Sequence, residues 1–297
     1  MKVLVIIVSY NFERWIERCL GSLRQSAVPV DVLVVDNCSQ DHTVELIEQH
    51  YPEVRLIRSD SNLGFGKANN IGMQIALREG YDTVFLLNQD AWIDSQTIGT
   101  LLELSKQYPA YGILSPVHLT GKGDKPDQGF ATYTGLASLD LLPASEIVAA
   151  SFINAAFWMI PVSVLRVVGG FSPLFYHYGE DKDYINRLTY HGYLLGYAPK
   201  AFGCHDREYR QVTRDAFFRS ERVYHLSEYA NINHCFCKAF GYGVLASIKK
   251  AMQALFQGKN KDAVTYLSIA GQLVRRTPKI TCIRKETSHQ QANFIQP

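Results

Sequence analysis

The chain has 297 residues, 47% hydrophobic and 20% charged, with a mean hydropathy of -0.08. This profile suits a folded globular chain and excludes disorder as a description of the whole. Six cysteines are too sparse for a disulfide scaffold, and none stands at C-x-x-C spacing. Cys235 and Cys237 flank a single Phe, poor geometry for zinc, so reduced, buried thiols are expected.

Net charge is +2, but it is unevenly spread. From Arg210 onward there are 14 Lys/Arg against 5 Asp/Glu, a net of +9, whereas the first 209 residues carry 16 against 23, a net of -7. An acidic front and a basic back suggest two physical jobs, and a basic tail suits nucleic acid, lipid phosphates or another protein. The apolar run Val3 to Val8 is too short for a signal sequence. The uncharged stretch Ile147 to Leu165 contains Ser151, Asn154, Pro161 and Ser163, so a buried strand followed by a helix start is expected rather than a span.

In chain order, VLVIIV (3–8) is a β-branched run expected to form a buried strand. Ile16, Cys19, Leu20 and Leu23 recur at helical spacing, with Pro29 closing the unit. DVLVVDN (31–37) is a second strand, followed by a helix containing Val44, Ile47 and Tyr51 that Ser39 and Asp41 can cap. RLIRS (55–59) is a third strand, and the turn NLGFG (62–66) leads into a helix with Ile71 and Ile75 on one face. TVFLLN (83–88) is the fourth strand, and a helix follows over about 95–108. Further on, 121–129 is a loop by composition, a helix opens at Glu180, and YLLGYAPKAFGCH (193–205) returns as a strand pair or a strand plus loop. Beyond Arg210 the pattern turns helical and is rich in Tyr, Phe and Lys, as at 217–218, 224–225 and 246–256.

Four strand–helix alternations predict an α/β fold, a mostly parallel sheet covered on both faces. In such sheets ligands bind beyond the carboxyl ends of the strands. Those ends are Ser9-Tyr10-Asn11, Asp36-Asn37, Asn62 to Asn70 and Asn88-Gln89-Asp90, all polar.

Asp90, with Asn88 two residues before it, can offer a hard divalent cation one carboxylate, the remaining ligands coming from phosphates. It could equally cap the next helix, although Asp94 and Ser95 are better placed for that. Asp36 could grip a ribose, but 9–15 has no glycine, which disfavours a nicotinamide-cofactor fold. Glu180, Asp181 and Asp183 suit the first turn of a helix by the dipole alone. A carboxylate there inside a cleft is also a natural general base for a hydroxyl. His205, taken alone, reads more simply as a packed or surface histidine than as a ligand.

In order, VIIVSYN, VVDNCSQD, NLGFGKANNIG, FLLNQDAWI and FYHYGEDKDYINRLTYHGYLLGYAP resemble successive blocks of the family 2 glycosyltransferases of the GT-A (Rossmann-like) fold. The resemblance covers roughly residues 2–206 and implies two regions: a GT-A domain over 1–209 and a basic, aromatic, mainly helical extension over 210–297. It implies that Ser9, Tyr10 and Asp36 hold the nucleotide's base and ribose, with Asn11, Asn37 and Asn70 completing the nucleotide-sugar contacts. Asn88-Gln89-Asp90 stands at the D-x-D position, whose last acid binds Mg²⁺ or Mn²⁺ on the donor diphosphate. His205 matches a further metal ligand. Asp181 matches the catalytic base, with Glu180 and Asp183 on the acceptor side. Asn69 lies where several members carry an Arg facing the diphosphate, and Lys67 is the nearest substitute. Asn88 in place of the first Asp resembles the rhamnosyltransferase-like branch.

The implied activity is metal-dependent, inverting transfer from dTDP-rhamnose or a UDP-hexose to a saccharide or lipid-linked glycan in cell-surface polysaccharide assembly. The expected location is cytoplasmic, with the basic extension either capping the acceptor side or attaching peripherally to the cytoplasmic membrane face. The rival readings are a nucleotide-sugar-binding protein without turnover, since the metal site has lost one acid, and a nucleotidyltransferase. The latter would want a Gly-rich, basic first turn, and 9–15 offers only Arg14. No nucleic-acid reading module is recognisable, so no nucleic-acid partner is expected.

Overall fold

The computed structural model describes residues 1–207 and 213–296. The chain runs β1 (Val3–Ser9), α1 (Ile16–Arg24), β2 (Asp31–Asp36), α2 (Thr43–His50), β3 (Arg55–Arg58), α3 (Phe65–Arg78) and β4 (Thr83–Asn88). It continues through β5 (Ala91–Ile93), α4 (Thr97–Gln107), β6 (Tyr111–Thr120), α5 (Gln128–Thr134), β7 (Val148–Ala149), β8 (Phe157–Pro161) and α6 (Val162–Val168). Last come α7 (Glu180–Tyr190), β9 (Leu194–His205), α8 (Arg214–Ala230), α9 (Phe236–Phe240), α10 (Ala246–Phe256) and α11 (Asn260–Thr287). The expected boundary at 209/210 lies outside the described residues.

The strands form one sheet in the order β3-β2-β1-β4-β8-β6-β9-β5, with β7 beside β9. Strands β1 to β4 are parallel; β1, β2 and β4 carry apolar runs buried on both faces, whereas the edge strand β3 (RLIR) is only partly buried. Period-two alternation divides them cleanly. Val3, Val5 and Ile7 join the core beneath α1, α2 and α4, and Leu4 and Ile6 join the core beneath α3, α6 and α7.

Beyond β4 the sheet becomes mixed, because β8 enters antiparallel to both β4 and β6. The 147–165 stretch is a strand and a helix start, as its composition implies. Residues 194–205, expected as a pair or a strand plus loop, form one 12-residue strand. A register shift opposite Pro116–Val117 absorbs the irregularity that Pro199 introduces. Strands β5 and β6 went unanticipated: β5 has three residues, and Pro116 and His118 interrupt the apolar run of β6.

The C-terminal helices enclose a third core built on Phe218, Tyr229, Ile269, Leu273 and Ile280, into which Leu174 and Phe175 reach from the loop before α7. Residues 291–296 then return to the first core, where Ile295 is buried and Gly170 N donates to Asn293 O at 2.8 Å. All six cysteines are free, but only Cys19 is buried; Cys38 and Cys204 are half-buried and Cys235, Cys237 and Cys282 exposed, so the expectation of buried thiols holds for Cys19 alone. No described helix is long and apolar enough to cross a membrane.

Candidate active site

Asp90 stands at the corner where β4 ends and β5 begins. Because β5 runs antiparallel to β9 with Ala91 opposite His205, the corner brings Asp90 Oδ1 within 3.2 Å of His205 Nε2. Asp206 N donates to Asp90 O at 2.8 Å and fixes the turn. Asn88 Nδ2 lies 3.4 Å from His205 Nε2. Two residues 115 positions apart are thus joined by one strand pairing.

On the opposite wall, the loop before α7 turns through two consecutive left-handed residues, Tyr178 (φ 70°) and Gly179 (φ 89°). A Cβ at Gly179 would stand 2.5 Å from Val223 Cγ1 of α8, so both conformation and space demand glycine. This turn directs Glu180 and Asp181 into a cavity of about 500 Å³ that Asn88, Asp90, His205 and Arg207 also line. The carboxylate expected at the metal and the expected base therefore share one chamber.

That chamber adjoins a larger cleft of about 1060 Å³, which shares Phe65, Asn88, Asp90, His177 and Tyr178 with it. Tyr10, Asn37 and Asn62 line the cleft's sheet edge. Gln89 ties two strand ends together, accepting from Tyr10 N at 2.7 Å and donating to Tyr10 O at 3.1 Å. Gly64, at φ 79°, closes against the Tyr176 carbonyl.

The remaining expected site residues lie apart from these walls. Ser9 and Asp36 are buried beneath them: Asp36 Oδ1 accepts from Ser9 Oγ at 2.8 Å and from Ser39 Oγ at 2.5 Å. Ser39 therefore braces Asp36 rather than capping α2. Asn11 Oδ1 accepts from Gln40 N at 2.9 Å, which spends it on the neighbouring loop. Asn69 is buried and donates to Phe65 O. Asn70 clamps Phe171, accepting from its N at 2.7 Å and donating to its O at 2.9 Å. Lys67 and Asn70 line a separate cavity of about 490 Å³, so neither is positioned to face a diphosphate in the cleft. Asp183 is likewise turned inward, accepting from Arg187 Nε at 2.9 Å in a buried ion pair rather than facing an acceptor.

Burial sets the electrostatics of the α7 turn. It pushes the Glu180 carboxyl from 4.5 up to about 7, aided by the nearby negative charges of Asp181 and Asp183. Burial also raises Asp181, against opposing hydrogen bonds from the backbone and the charges of Arg207 and Lys182. Desolvation outweighs the helix dipole at both positions, so these groups hold protons more readily than an exposed acid. Among the described residues Glu180 Oε2 has no hydrogen-bond partner. An acid raised above its unfolded value is easiest to bury protonated, so its contribution to stability declines as pH rises from about 4.5 and levels off above about 7. Glu180→Gln is expected to remove that decline, giving a higher Tm than the parent at pH 8 and none at pH 4; a pH series of melting curves checks this.

The donor set suits a hard divalent cation in part. His205 is buried with Nδ1 unpartnered among the described residues, and Nε2 and Asp90 Oδ1 point at one another. Among the described residues no group of three or more His, Cys, Asp or Glu converges. An ion held here would have two protein ligands and would draw the rest from phosphate and water, as Mg²⁺ commonly does.

The profile of Glycosyl transferase family 2 matches residues 4–155, just over half of the chain. The chain is a family 2 glycosyltransferase. This glycosyltransferase is 28% identical over 232 residues to an N-acetylglucosaminyl-diphospho-decaprenol L-rhamnosyltransferase of Mycobacterium tuberculosis, covering 68% of this chain and 75% of the relative. It is 25% identical over 227 residues to a low-salt glycan biosynthesis hexosyltransferase of Haloferax volcanii, covering 74% and 71%. The crystal structure of S. aureus TarS in complex with UDP-GlcNAc superposes with a TM-score of 0.58 at 15% identity, over 95% of this chain and 84% of that one. That likeness establishes the GT-A fold of the glycosyltransferase.

Several lining residues of the glycosyltransferase escaped sequence reasoning: Tyr133, Asn154, the Tyr176–Tyr178 aromatics, Arg207, and Arg219, Arg222 and Arg276 of the C-terminal helices. Only the aromatics carried a signal, since FYHY immediately precedes the acidic turn.

Proposed function

We propose that the protein transfers a sugar from a nucleoside-diphosphate donor to a hydroxyl of a saccharide or lipid-linked glycan, with inversion at the anomeric carbon. One observation carries this reading: Asp90 with His205 on one wall, and Asp181 on the other, line a single chamber that opens into a cleft of nucleotide-sugar size. Tyr10 and Asn37 hold the nucleoside, with Ser9 and Asp36 bracing them from beneath.

Asp90 and His205 would hold a Mg²⁺ or Mn²⁺ ion, which when bound supplies Lewis-acid stabilisation to the departing diphosphate. Asp181 takes the proton of the acceptor hydroxyl as that oxygen attacks. A single base in direct displacement, with no covalent enzyme intermediate, implies one inversion. Arg207, lining the same chamber, and the buried Glu180 shape the acceptor side. The relatives, an N-acetylglucosaminyl-diphospho-decaprenol L-rhamnosyltransferase and a glycan hexosyltransferase, support a rhamnosyl or hexosyl donor, here dTDP-rhamnose or a UDP-hexose, and a lipid-diphosphate saccharide as acceptor.

Incubation with these donors, Mn²⁺ and a lipid-diphosphate saccharide is expected to yield a glycoside of inverted configuration by NMR. EDTA is expected to abolish transfer, and Mn²⁺ or Mg²⁺ to restore it. Transfer insensitive to chelation removes the metal. Donor binding with neither transfer nor hydrolysis would instead make this a nucleotide-sugar-binding protein.

The extension adds a membrane-facing surface at the cytoplasmic side. Met252, Leu255, Phe256, Val264 and Leu267 are exposed across α10 and α11, with Phe256 87% exposed at the helix end. Lys259 closes the turn between the helices and Lys261 lies in the first turn of α11. Apolar side chains entering a bilayer, with ammonium groups on lipid phosphates, make an interfacial contact. Flotation with anionic liposomes is expected at low salt, weakened in Phe256→Ser, Leu255→Ser; failure to float at either low or high salt removes this contact.

A further inference from the structure

Among the described residues, every Lys or Arg lining the larger cleft comes from the C-terminal helices: Arg219 and Arg222 from α8, and Arg276 from α11. Among the described residues the sheet edge contributes no cation there, and Lys67 lies in the separate cavity. The α8 contribution follows from helical geometry. Arg219, Arg222, Val223 and Leu226 stand at i, i+3, i+4 and i+7, a single stripe facing the cleft. The intervening Glu221 faces the other way, bonded to Lys250 and Tyr266. Neither Arg219 nor Arg222 makes an ion pair among the described residues, and both are exposed. Arg276 is half-buried, with Nη2 donating to Leu174 O at 2.8 Å, which aims its guanidinium while leaving further N–H groups free.

The opposite side of the cleft holds Asn88, Gln89 and Asp90, with a single carboxylate where two would complete a D-x-D pair. A diphosphate at that edge therefore meets less metal-side charge than a pair of acids would organise, and three guanidiniums lie across from it. Guanidinium forks match phosphate oxygens in bidentate geometry. Arg219 also acts electrostatically on the adjoining loop: burial lowers the proton affinity of His177, and the charge of Arg219 lowers it further.

From this arrangement we infer that Arg219, Arg222 and Arg276 form a diphosphate-binding site contributed to the transfer cleft by the C-terminal helices. The inference rests on the glycosyl-transfer reading above and extends it by giving the helical extension a direct part in ligand binding. The chemistry is that of a diphosphate monoester or diester, which both a nucleoside-diphosphate donor and a prenyl-diphosphate acceptor contain.

Calorimetric titration of the full chain in Mn²⁺ buffer with UDP, dTDP and a short-chain prenyl diphosphate tests it. Both exposed arginines can be changed without disturbing the core, so the variant is Arg219→Ala, Arg222→Ala, with Arg275→Ala as a control arginine outside the cleft. A rise in Kd of about tenfold or more, absent in the control, is expected for at least one ligand class. Loss confined to UDP and dTDP assigns the site to the donor, and loss confined to the prenyl diphosphate assigns it to the acceptor. Parental affinity for all three in the double variant overturns the site and leaves the proposed function standing. No diphosphate binding by the parent chain overturns both.

Discussion

Asp181→Asn is expected to reduce turnover by about 10²–10⁴-fold, the contribution of a positioned general base, with donor affinity unchanged. The substitution keeps the shape of the side chain and the acceptor oxygen that receives Lys182 N at 2.7 Å, so the α7 turn stays in place. It removes only the capacity to take up a proton. Single-turnover transfer assays together with donor titration separate the two effects. Lost donor affinity at preserved chemistry would move Asp181 from the acceptor hydroxyl to the donor.

Two residues further along the same turn, the expected effect is on stability. Asp183→Ala strands the Arg187 guanidinium, which is 1% exposed and otherwise, among the described residues, bonded to the carbonyls of Val168 and Gly170 and set over the rings of Tyr184 and Phe294. Breaking one half of a buried ion pair costs about 3–5 kcal/mol, because the remaining charge stays buried without its counter-ion. Urea unfolding should show the midpoint falling by a corresponding amount, with turnover per folded molecule near the parental value. Asp183→Leu, Arg187→Met is expected to recover much of the loss, since replacing both charges with apolar groups removes the desolvation penalty. No recovery would mean that Arg187's bonds to the loop at 168–170, rather than its charge pairing, dominate. One acidic cluster therefore divides into the proposed base at 181, a proton-retaining wall at 180 and a structural anchor at 183.

Three of the first four strands were legible because a strand buried on both faces needs an apolar middle, which VLVIIV, VLVV (32–35) and VFLL (84–87) supply; the edge strand RLIR was legible only from its place between two helices. The polar strand ends were legible for the same reason: nothing in the core requires them. Within each end, the sequence could not say which side chain turns outward. Asn37 lines the cleft while Asp36 beside it is braced from below, and that difference depends on Ser9 and Ser39. The meeting of Asp90 with His205 follows from the β5–β9 register, and no local pattern encodes a pairing across 115 residues. The arginines of α8 and α11 looked like ordinary solvent-facing positions, because their significance lies in what the fold sets opposite them. α11 even runs through Pro278, where a proline ordinarily ends a helix, with buried Leu273 and Ile280 on either side holding it to the third core.

The return of residues 291–296 to the sheet has a mechanical consequence. Gln291 N bonds to Val167 O, Gly170 N to Asn293 O, and Gln74 Nε2 to Gln296 O, while Ile295 is fully sunk among the side chains of α3 and α6. The helical unit is therefore moored at its far end as well as at the strand from which it departs, like a span resting on two piers. Such a span cannot swing aside as a hinged cover, so admission of substrates falls to side-chain rearrangement along 173–178 and on α8.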